Sequence, residues 1–164
     1  MFLNKRKAIF LISVTALIFI LTINLVKSQT IKIVDGDTIH LNGKKIRFTG
    51  IDTPELKQTC LIDGIKDPCG VTAKQMLIDK IGSNKVECFS EGKDQYKRTL
   101  AECFVNNESL SSYLVRSGYA FAYRKYSKKF IPDEDYARNN KIGMWSMKFD
   151  YPWDYRSCLL YTSD

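Results

Sequence analysis

The sequence predicts an α+β fold, a five-stranded OB-type Greek-key β-barrel with about three α-helices. Two observations lead to this fold class. Three strand-like segments follow one another near the start of the domain, and two more lie beyond a helix, as expected for short antiparallel strands in a small barrel. The 164 residues contain neither internal repeats nor low-complexity linkers, so a single globular domain is expected.

The strands are predicted by two-residue alternation of apolar and polar residues between turn signals. The first three segments are QTIKIV (29–34), DTIHL (37–41) and KKIRFTGI (44–51), joined by the hairpin-type turns DGD and NGK. The other two are KVECFS (85–90) and RTLAECFV (98–105), separated by the turn-rich EGKDQYK. YAFAYRKY (119–126) fits either a strand or an irregular aromatic stretch.

Three segments have helical character. GVTAKQMLIDKIG (70–82) places Ala73, Leu77 and Ile81 on one stripe and ends in a glycine. ESLSSYLVRSG (108–118) also ends in a glycine, and PDEDYARNNKIG (132–143) opens with proline and acidic residues. The aromatic tail MWSMKFDYPWDYR (144–156) is expected to pack back on the domain.

An apolar run, AIFLISVTALIFILTINL, occupies positions 8–25 and is flanked by four basic residues. Residues 1–28 are therefore expected to be a signal peptide or an N-terminal membrane anchor, followed by the domain at 29–164. Leaving out those four basic residues lowers the formal charge from +7 to +3. Net charge is thus a weak argument for a polyanionic partner. Such a partner has to be argued from the positions of individual residues.

The five cysteines fit an exported protein, because disulfides persist outside the reducing cytosol. Cys60 and Cys69 bracket a short loop, and Cys88 and Cys103 lie on two strands that would be antiparallel neighbours. Two bridges, Cys60 with Cys69 and Cys88 with Cys103, are predicted, with Cys158 in neither. A structural zinc site is disfavoured because the sequence has no CxxC motif.

Carboxylates recur where two of the predicted strands begin or end. Asp37 in DGDT and Asp52 in IDTPE could be turn residues, but neighbouring strands could also bring them together. With the carbonyl of Thr53 they would give the oxygen ligands that calcium prefers. Glu55 would then lie near bound water.

Two arginines complete a possible phosphate-binding set. Arg47 alternates with apolar neighbours on the third strand, and Arg98 begins the fifth. Either alone would usually be solvated, but as a pair they could clamp a phosphate through parallel hydrogen bonds. The single histidine, His40, is interpreted as a strand residue outside this set.

Several motifs together resemble the staphylococcal nuclease-like, or thermonuclease, family. They are IVDGDTIHL, IRFTGIDTPE, KDQYKRTLA, YLVRSGYA and IGMW, in the order and approximate spacing of that family from about Thr30 to Trp145. The additional QTC, PCG and YPWDYR elements are similar to those of an exported bacterial branch. The resemblance implies an OB-type nuclease.

Position by position, the resemblance implies Arg47, Glu55 and Arg98 as catalytic residues and Asp37, Asp52 and Thr53 as calcium ligands. It further suggests that Tyr96, Tyr123 and Tyr126 stack on the substrate, and Lys97 is expected either to alter its turn or to add a phosphate contact. Two positions depart from the family pattern: Lys97 replaces a glycine, and Gln95 replaces a lysine that lies near the nucleotide.

The expected activity is calcium-dependent hydrolysis of DNA, and of RNA, with little sequence preference, by a monomeric endonuclease. It would be exported, either periplasmic or secreted, or tethered to the membrane through residues 8–25. The alternative is a catalytically inactive OB-fold module that binds nucleic acid. An envelope structural protein is a third class, which would leave the charged residues without a role.

Overall fold

The computed structural model describes residues 28–161, so the predicted leader, apart from Ser28, lies outside the described part. The five predicted strands are present and form one continuous sheet, which confirms the α+β fold class. They are β1 (Ile31–Ile33), β2 (Thr38–Leu41), β3 (Lys44–Phe48), β7 (Glu87–Lys93) and β8 (Thr99–Val105). In the described range, no helix is both long enough and apolar enough to cross a membrane.

Short pairings supplement the main sheet. They comprise β4 (Ile51–Asp52), β5 (Cys60–Ile62), β6 (Ile65–Asp67), β9 (Glu108–Ser109) and β10 (Phe121–Ala122). β4 pairs with β10, β5 with β6, and β9 with β8. The YAFAYRKY segment is therefore a two-residue strand followed by a turn.

Four α-helices lie in residues 28–161, one more than the sequence predicts. They are α1 (Cys69–Ile81), α2 (Leu110–Arg116), α3 (Ile131–Asn139) and α4 (Pro152–Tyr161), and a 3₁₀ turn covers Gly143–Ser146. The unexpected helix is α4, in the aromatic tail. Its sequence lacks the amphipathic stripe from which α1 was predicted and the closing glycine that marked all three predicted helices.

The sheet runs in the order β1, β2, β3, β8, β7, and β3 is parallel to β8. Asn42 and Gly43 connect β2 to β3 with φ angles of 51° and 79°, as a two-residue hairpin turn requires. At the sheet's two edges, the Gln29 side chain exchanges two hydrogen bonds with the main chain of Val86, at 2.8 and 2.9 Å. A side-chain amide thus links the edge before β1 to the edge before β7.

Two apolar clusters hold the domain together. The main core contains Leu77 and Ile81 of the predicted stripe of α1, and Ala73, the third residue of that stripe, is also buried. A second cluster is centred on Phe121, whose ring meets Trp145 and Phe149 at centroid distances of 5.4 and 5.2 Å. The aromatic tail therefore packs against the domain, as predicted.

Both predicted disulfides are present. Cys60 is bonded to Cys69, and Cys88 is bonded to Cys103 across directly paired positions of β7 and β8. Cys158 is part of neither bond. The bridges close segments with sequence separations of 9 and 15 residues.

Reduction of the two disulfides is expected to lower stability by about 2–4 kcal/mol for each bridge, because each restricts the unfolded chain. Thermal unfolding followed by circular dichroism, with and without a reducing agent, measures the effect. A variant with alanine at all four bridging cysteines should melt at the same temperature as the reduced wild type, and adding the reductant should not change that temperature. An unchanged melting temperature in the reduced wild type would contradict the prediction.

Candidate active site

The centre of the site is an ion-pair network around Arg47. Its position on β3 alternates with buried Ile46 and Phe48, so its side chain leaves the opposite face of the strand. The guanidinium pairs with Asp37, just before β2, and with Asp52 on β4, where Nη2 lies 2.7 Å from Oδ1. Both carboxylates are buried, so Arg47 compensates charges that would otherwise be costly to desolvate.

Thr53 fixes the orientation of Asp37. Its main-chain N–H and its hydroxyl both donate to Asp37 Oδ2, at 3.1 and 2.9 Å, and the Thr38 hydroxyl donates to Oδ1 at 3.1 Å. The carboxylate therefore has a defined direction before any ligand binds. Sequence reasoning grouped Asp37, Asp52 and Thr53, and the structure brings these three residues together.

Glu55 lies on the short segment after β4, and its main chain is held by Gln58. The Glu55 N–H donates to the Gln58 side chain at 3.2 Å, and the Gln58 N–H donates to the Glu55 carbonyl at 2.8 Å. Gln58 is 1% exposed, and its amide also donates to the carbonyl of Asp150 at 2.7 Å. A buried side chain thus ties the Glu55 segment to the C-terminal tail.

Gly70, at the start of α1, packs directly on the same segment. A Cβ built at Gly70 would lie 1.8 Å from the Glu55 carbonyl oxygen, closer than any side chain can approach. The adjacent Cys69 is anchored by its bond to Cys60. The QTC and PCG elements therefore surround and fix the Glu55 segment.

Arg98 is oriented by Asp94. Its Nε donates to Asp94 Oδ2 at 2.6 Å, and its main-chain N–H donates to Oδ1 at 2.9 Å. Desolvation acts to raise the pKa of Asp94, but the hydrogen bonds from Arg98 outweigh it and lower that pKa below its usual range. Asp94 is thus charged at neutral pH and holds the guanidinium.

Lys97 has a φ of 62°, in the left-handed region. This conformation is available to glycine without steric cost but costs other residues about 1–2 kcal/mol. The turn conformation therefore explains why the family that the sequence resembles has a glycine at this position. Lys97 adopts the same left-handed conformation.

A third guanidinium enters the site from α4. Arg156 Nη2 lies 2.6 Å from Asp52 Oδ2, and Nη1 lies 2.8 Å from Glu55 Oε1. Desolvation lowers the pKa of Arg156, but its hydrogen bonds to Asp52 and Glu55 outweigh this and raise the pKa. Sequence reasoning missed Arg156, and the arginine that ends YPWDYR was the available signal.

The three guanidiniums, Asp37 and Glu55 line one open cleft of about 940 Å³. Among the predicted site residues, the lining includes Asp37, Arg47, Thr53, Glu55, Arg98, Tyr96, Tyr123 and Tyr126. Asp52, which is fully buried, and Lys97 are not among the described residues that line it. Asp35 also lines the cleft, and burial raises the pKa of its carboxyl despite the opposing hydrogen bond from Thr38 and charge of Arg47.

The tyrosines differ in their freedom to meet a ligand. Tyr96 and Tyr126 are 71% and 70% exposed, whereas Tyr123 is half-buried. Tyr123 packs edge-to-face on Tyr126 with a centroid distance of 5.0 Å and stacks on Trp153 at 5.8 Å. Tyr96 and Tyr126 are therefore exposed at the cleft, with Arg98 and Lys125 over their rings at 5.5 and 5.7 Å from the centroids, and Tyr123 supports Tyr126.

The donor set is compatible with a hard cation. Two buried carboxylates, Asp37 and Asp52, converge on one guanidinium, and the main chain of Thr53 adjoins them. Oxygen donors of this kind suit calcium, which also accepts carbonyl and water ligands. In residues 28–161, no cluster of three or more His, Cys, Asp or Glu side chains forms a metal site, so other oxygens would have to complete the coordination.

An OB-type sheet with three arginines and exposed tyrosines in one open cleft, beside convergent carboxylates, defines a domain suited to bind a phosphodiester. The chain belongs to the staphylococcal nuclease homologue family, which matches residues 45–147. This family match confirms the resemblance predicted from the motifs. Arg156 lies beyond the matched range.

Three relatives show how far the similarity extends. An "Uncharacterized endonuclease" of Haemophilus influenzae is 30% identical over 125 residues, covering 72% of this chain and 65% of its own length. Endonuclease YncB of Bacillus subtilis is 33% identical, covering 69% and 58%. The "Probable staphylococcal-like nuclease CAN2" of Oryza sativa is 30% identical, covering 73% and 31%. The chain thus spans less than two thirds of each of these relatives.

Proposed function

We propose that this chain is an exported, calcium-dependent endonuclease that hydrolyses phosphodiester bonds of DNA and RNA with little sequence preference. The observation that carries the proposal is the cleft, where Arg47, Glu55 and Arg98 face one volume beside the carboxylates of Asp37 and Asp52. The names of the relatives, two endonucleases and a probable nuclease, point the same way. The two disulfides support an oxidising compartment.

The proposed chemistry is attack of water on phosphorus. Glu55, with its side chain 42% exposed to the cleft, would accept a proton from the attacking water. Arg47 and Arg98 would donate to phosphate oxygens, whose negative charge grows in the transition state. Because Asp37, Asp52 and Asp94 hold both guanidiniums in place, little reorganisation is needed when that charge develops.

Asp37, Asp52 and the carbonyl of Thr53 are the proposed ligands of the calcium ion. When bound there, the ion would supply further positive charge beside the phosphate. Low sequence preference follows from the recognition groups, because arginines contact phosphate and tyrosine rings stack on any base.

Removal of calcium is expected to lower the cleavage rate by at least about 100-fold, the effect of losing one charge-stabilising group. The measurement uses the full-length chain with single-stranded DNA and with RNA, in calcium or in an excess of chelator. Asp37→Asn should weaken calcium binding in calorimetry, whereas Asp63→Asn, in the exposed β5–β6 turn, should not.

Cleavage that persists unchanged in chelator would refute the metal requirement. Nucleic-acid binding without cleavage under any condition would instead identify the chain as an inactive OB-fold binding module.

A further inference from the structure

The C-terminal tail reaches the site through a chain of contacts that starts at Asp150. The Asp150 carbonyl accepts from Gln58, and the Tyr155 hydroxyl donates to the Lys57 carbonyl at 3.3 Å. Both contacts fall on the segment that carries Glu55. Stacking of Trp153 on Tyr151, with a centroid distance of 4.6 Å and a tilt of 9°, gives this part of the tail a rigid aromatic base.

Arg156 uses this support to bridge two carboxylates. One arm of its guanidinium reaches Asp52, and the other reaches Glu55, with a third contact of 3.4 Å between Nη1 and Asp52 Oδ1. Asp52 is fully buried, whereas the Glu55 side chain is 42% exposed. The planar guanidinium of Arg156 therefore links the partly exposed side chain of Glu55 to the buried side chain of Asp52.

The consequence for Glu55 follows from side-chain entropy. A partly exposed glutamate can adopt many rotamers, and ordering it costs side-chain conformational entropy. A general base works only within hydrogen-bond reach of the proton that it removes. A charge-assisted hydrogen bond of 2.8 Å from Arg156 restricts the rotamers of Glu55 before the substrate binds.

The geometry points to Arg156 as a positioning residue that holds Glu55 in the orientation needed for proton abstraction. This inference rests on the proposed function, because it gives Arg156 its role through Glu55. It extends the site beyond the residues that match the family, which end at position 147. Asp150, Tyr155 and the aromatic stack are the support that places the guanidinium.

The test compares Arg156→Gln with Arg156→Lys in the full-length chain. Arg156→Gln should lower kcat by about 10- to 100-fold, the effect of a catalytic group misplaced by about 1 Å. KM should change less than threefold, because substrate contacts remain. Lysine should recover part of the rate, since it keeps the charge but cannot form the two-armed bridge. Arg138→Gln, which removes an exposed ion pair on α3, is the matched control and should leave kcat unchanged.

A double variant shows whether Arg156 acts through Glu55. In a Glu55→Gln background, Arg156→Gln should cause no further loss of kcat, because the group that it positions is already gone. An additional 10-fold loss there, or a wild-type kcat in Arg156→Gln alone, would overturn the inference. A rise in KM at constant kcat would also overturn it, because that result assigns Arg156 to substrate binding.

Calcium binding supplies a readout that does not depend on turnover. Removing a nearby positive charge should leave calcium affinity equal or higher in calorimetry with calcium alone, whereas collapse of the site would weaken it. Weaker calcium binding in Arg156→Gln would therefore mark a structural role and overturn the inference. Wild-type activity in Glu55→Gln would be a different result, because it would refute the proposed function itself.

Discussion

Replacement of Glu55 by glutamine is expected to lower kcat by about 100- to 10,000-fold, the range contributed by a positioned general base. Glutamine preserves the size of the side chain but cannot take a proton from water. The Gln58 contacts are made to the main chain of residue 55, so the segment should keep its fold. Single-turnover cleavage of a labelled single-stranded DNA measures the chemical step directly.

Glu91 offers the matched control for this substitution. It is an exposed carboxylate on β7 that lines the same cleft, so Glu91→Gln makes the same change of charge at the rim. We expect its rate to stay close to that of wild type, because only a group within hydrogen-bond reach of the attacking water can act as its base. If both variants lost activity equally, cleft charge rather than proton abstraction would explain the effect.

Replacement of Gly70 by alanine should have the second large effect. The new Cβ would lie 1.8 Å from the Glu55 carbonyl oxygen and 2.6 Å from its carbon, so the main chain of the Glu55 segment must move. Overpacking of this kind costs about 1–3 kcal/mol or more. A displacement near 1 Å would also lower the cleavage rate by about 100-fold. Thermal unfolding and kcat should therefore be measured on the same preparation.

Helix propensity alone would predict the opposite effect of the Gly70→Ala substitution. Gly70 is in the first turn of α1, where alanine would ordinarily stabilise the helix by up to about 1 kcal/mol. Any loss therefore reports the contact with Glu55. Val71→Ala, at the next and 49% exposed position, should change stability by less than about 0.5 kcal/mol. A Gly70→Ala protein that is as active and stable as wild type would contradict this prediction, because it would show that the Glu55 segment can shift without loss of activity or stability.

Sequence periodicity predicted the parts of the fold that depend on local patterns. The alternation of Ile46, Arg47 and Phe48 correctly placed β3, and the apolar stripe of α1 correctly placed that helix. The pairing of β4 with β10 could not be predicted, because two-residue strands show no period and their partners are far apart in sequence. The helix α4 was missed for the related reason that its rings, not a stripe, dock it.

The site residues also divide into those that neighbouring segments bring together and those whose partners are far away in the sequence. Asp37 and Arg47 lie beside and on the paired strands β2 and β3, and Asp52 follows β3 by four residues, so the predicted meander was enough to bring them together. Gln58 and Arg156 act across separations of 92 and 101 residues, to Asp150 and Glu55. Their partners depend on how the tail docks, and no spacing within YPWDYR contains that information.

The tail contacts also bear on where this domain can be cut. A truncation after position 147, the end of the family match, would retain Arg47, Glu55 and Arg98 and all six strands of the main sheet. It would remove the Asp150 carbonyl that Gln58 binds and the guanidinium that holds Glu55. Boundaries drawn from family similarity alone would therefore keep the phosphate-binding groups and discard the support of the proposed base.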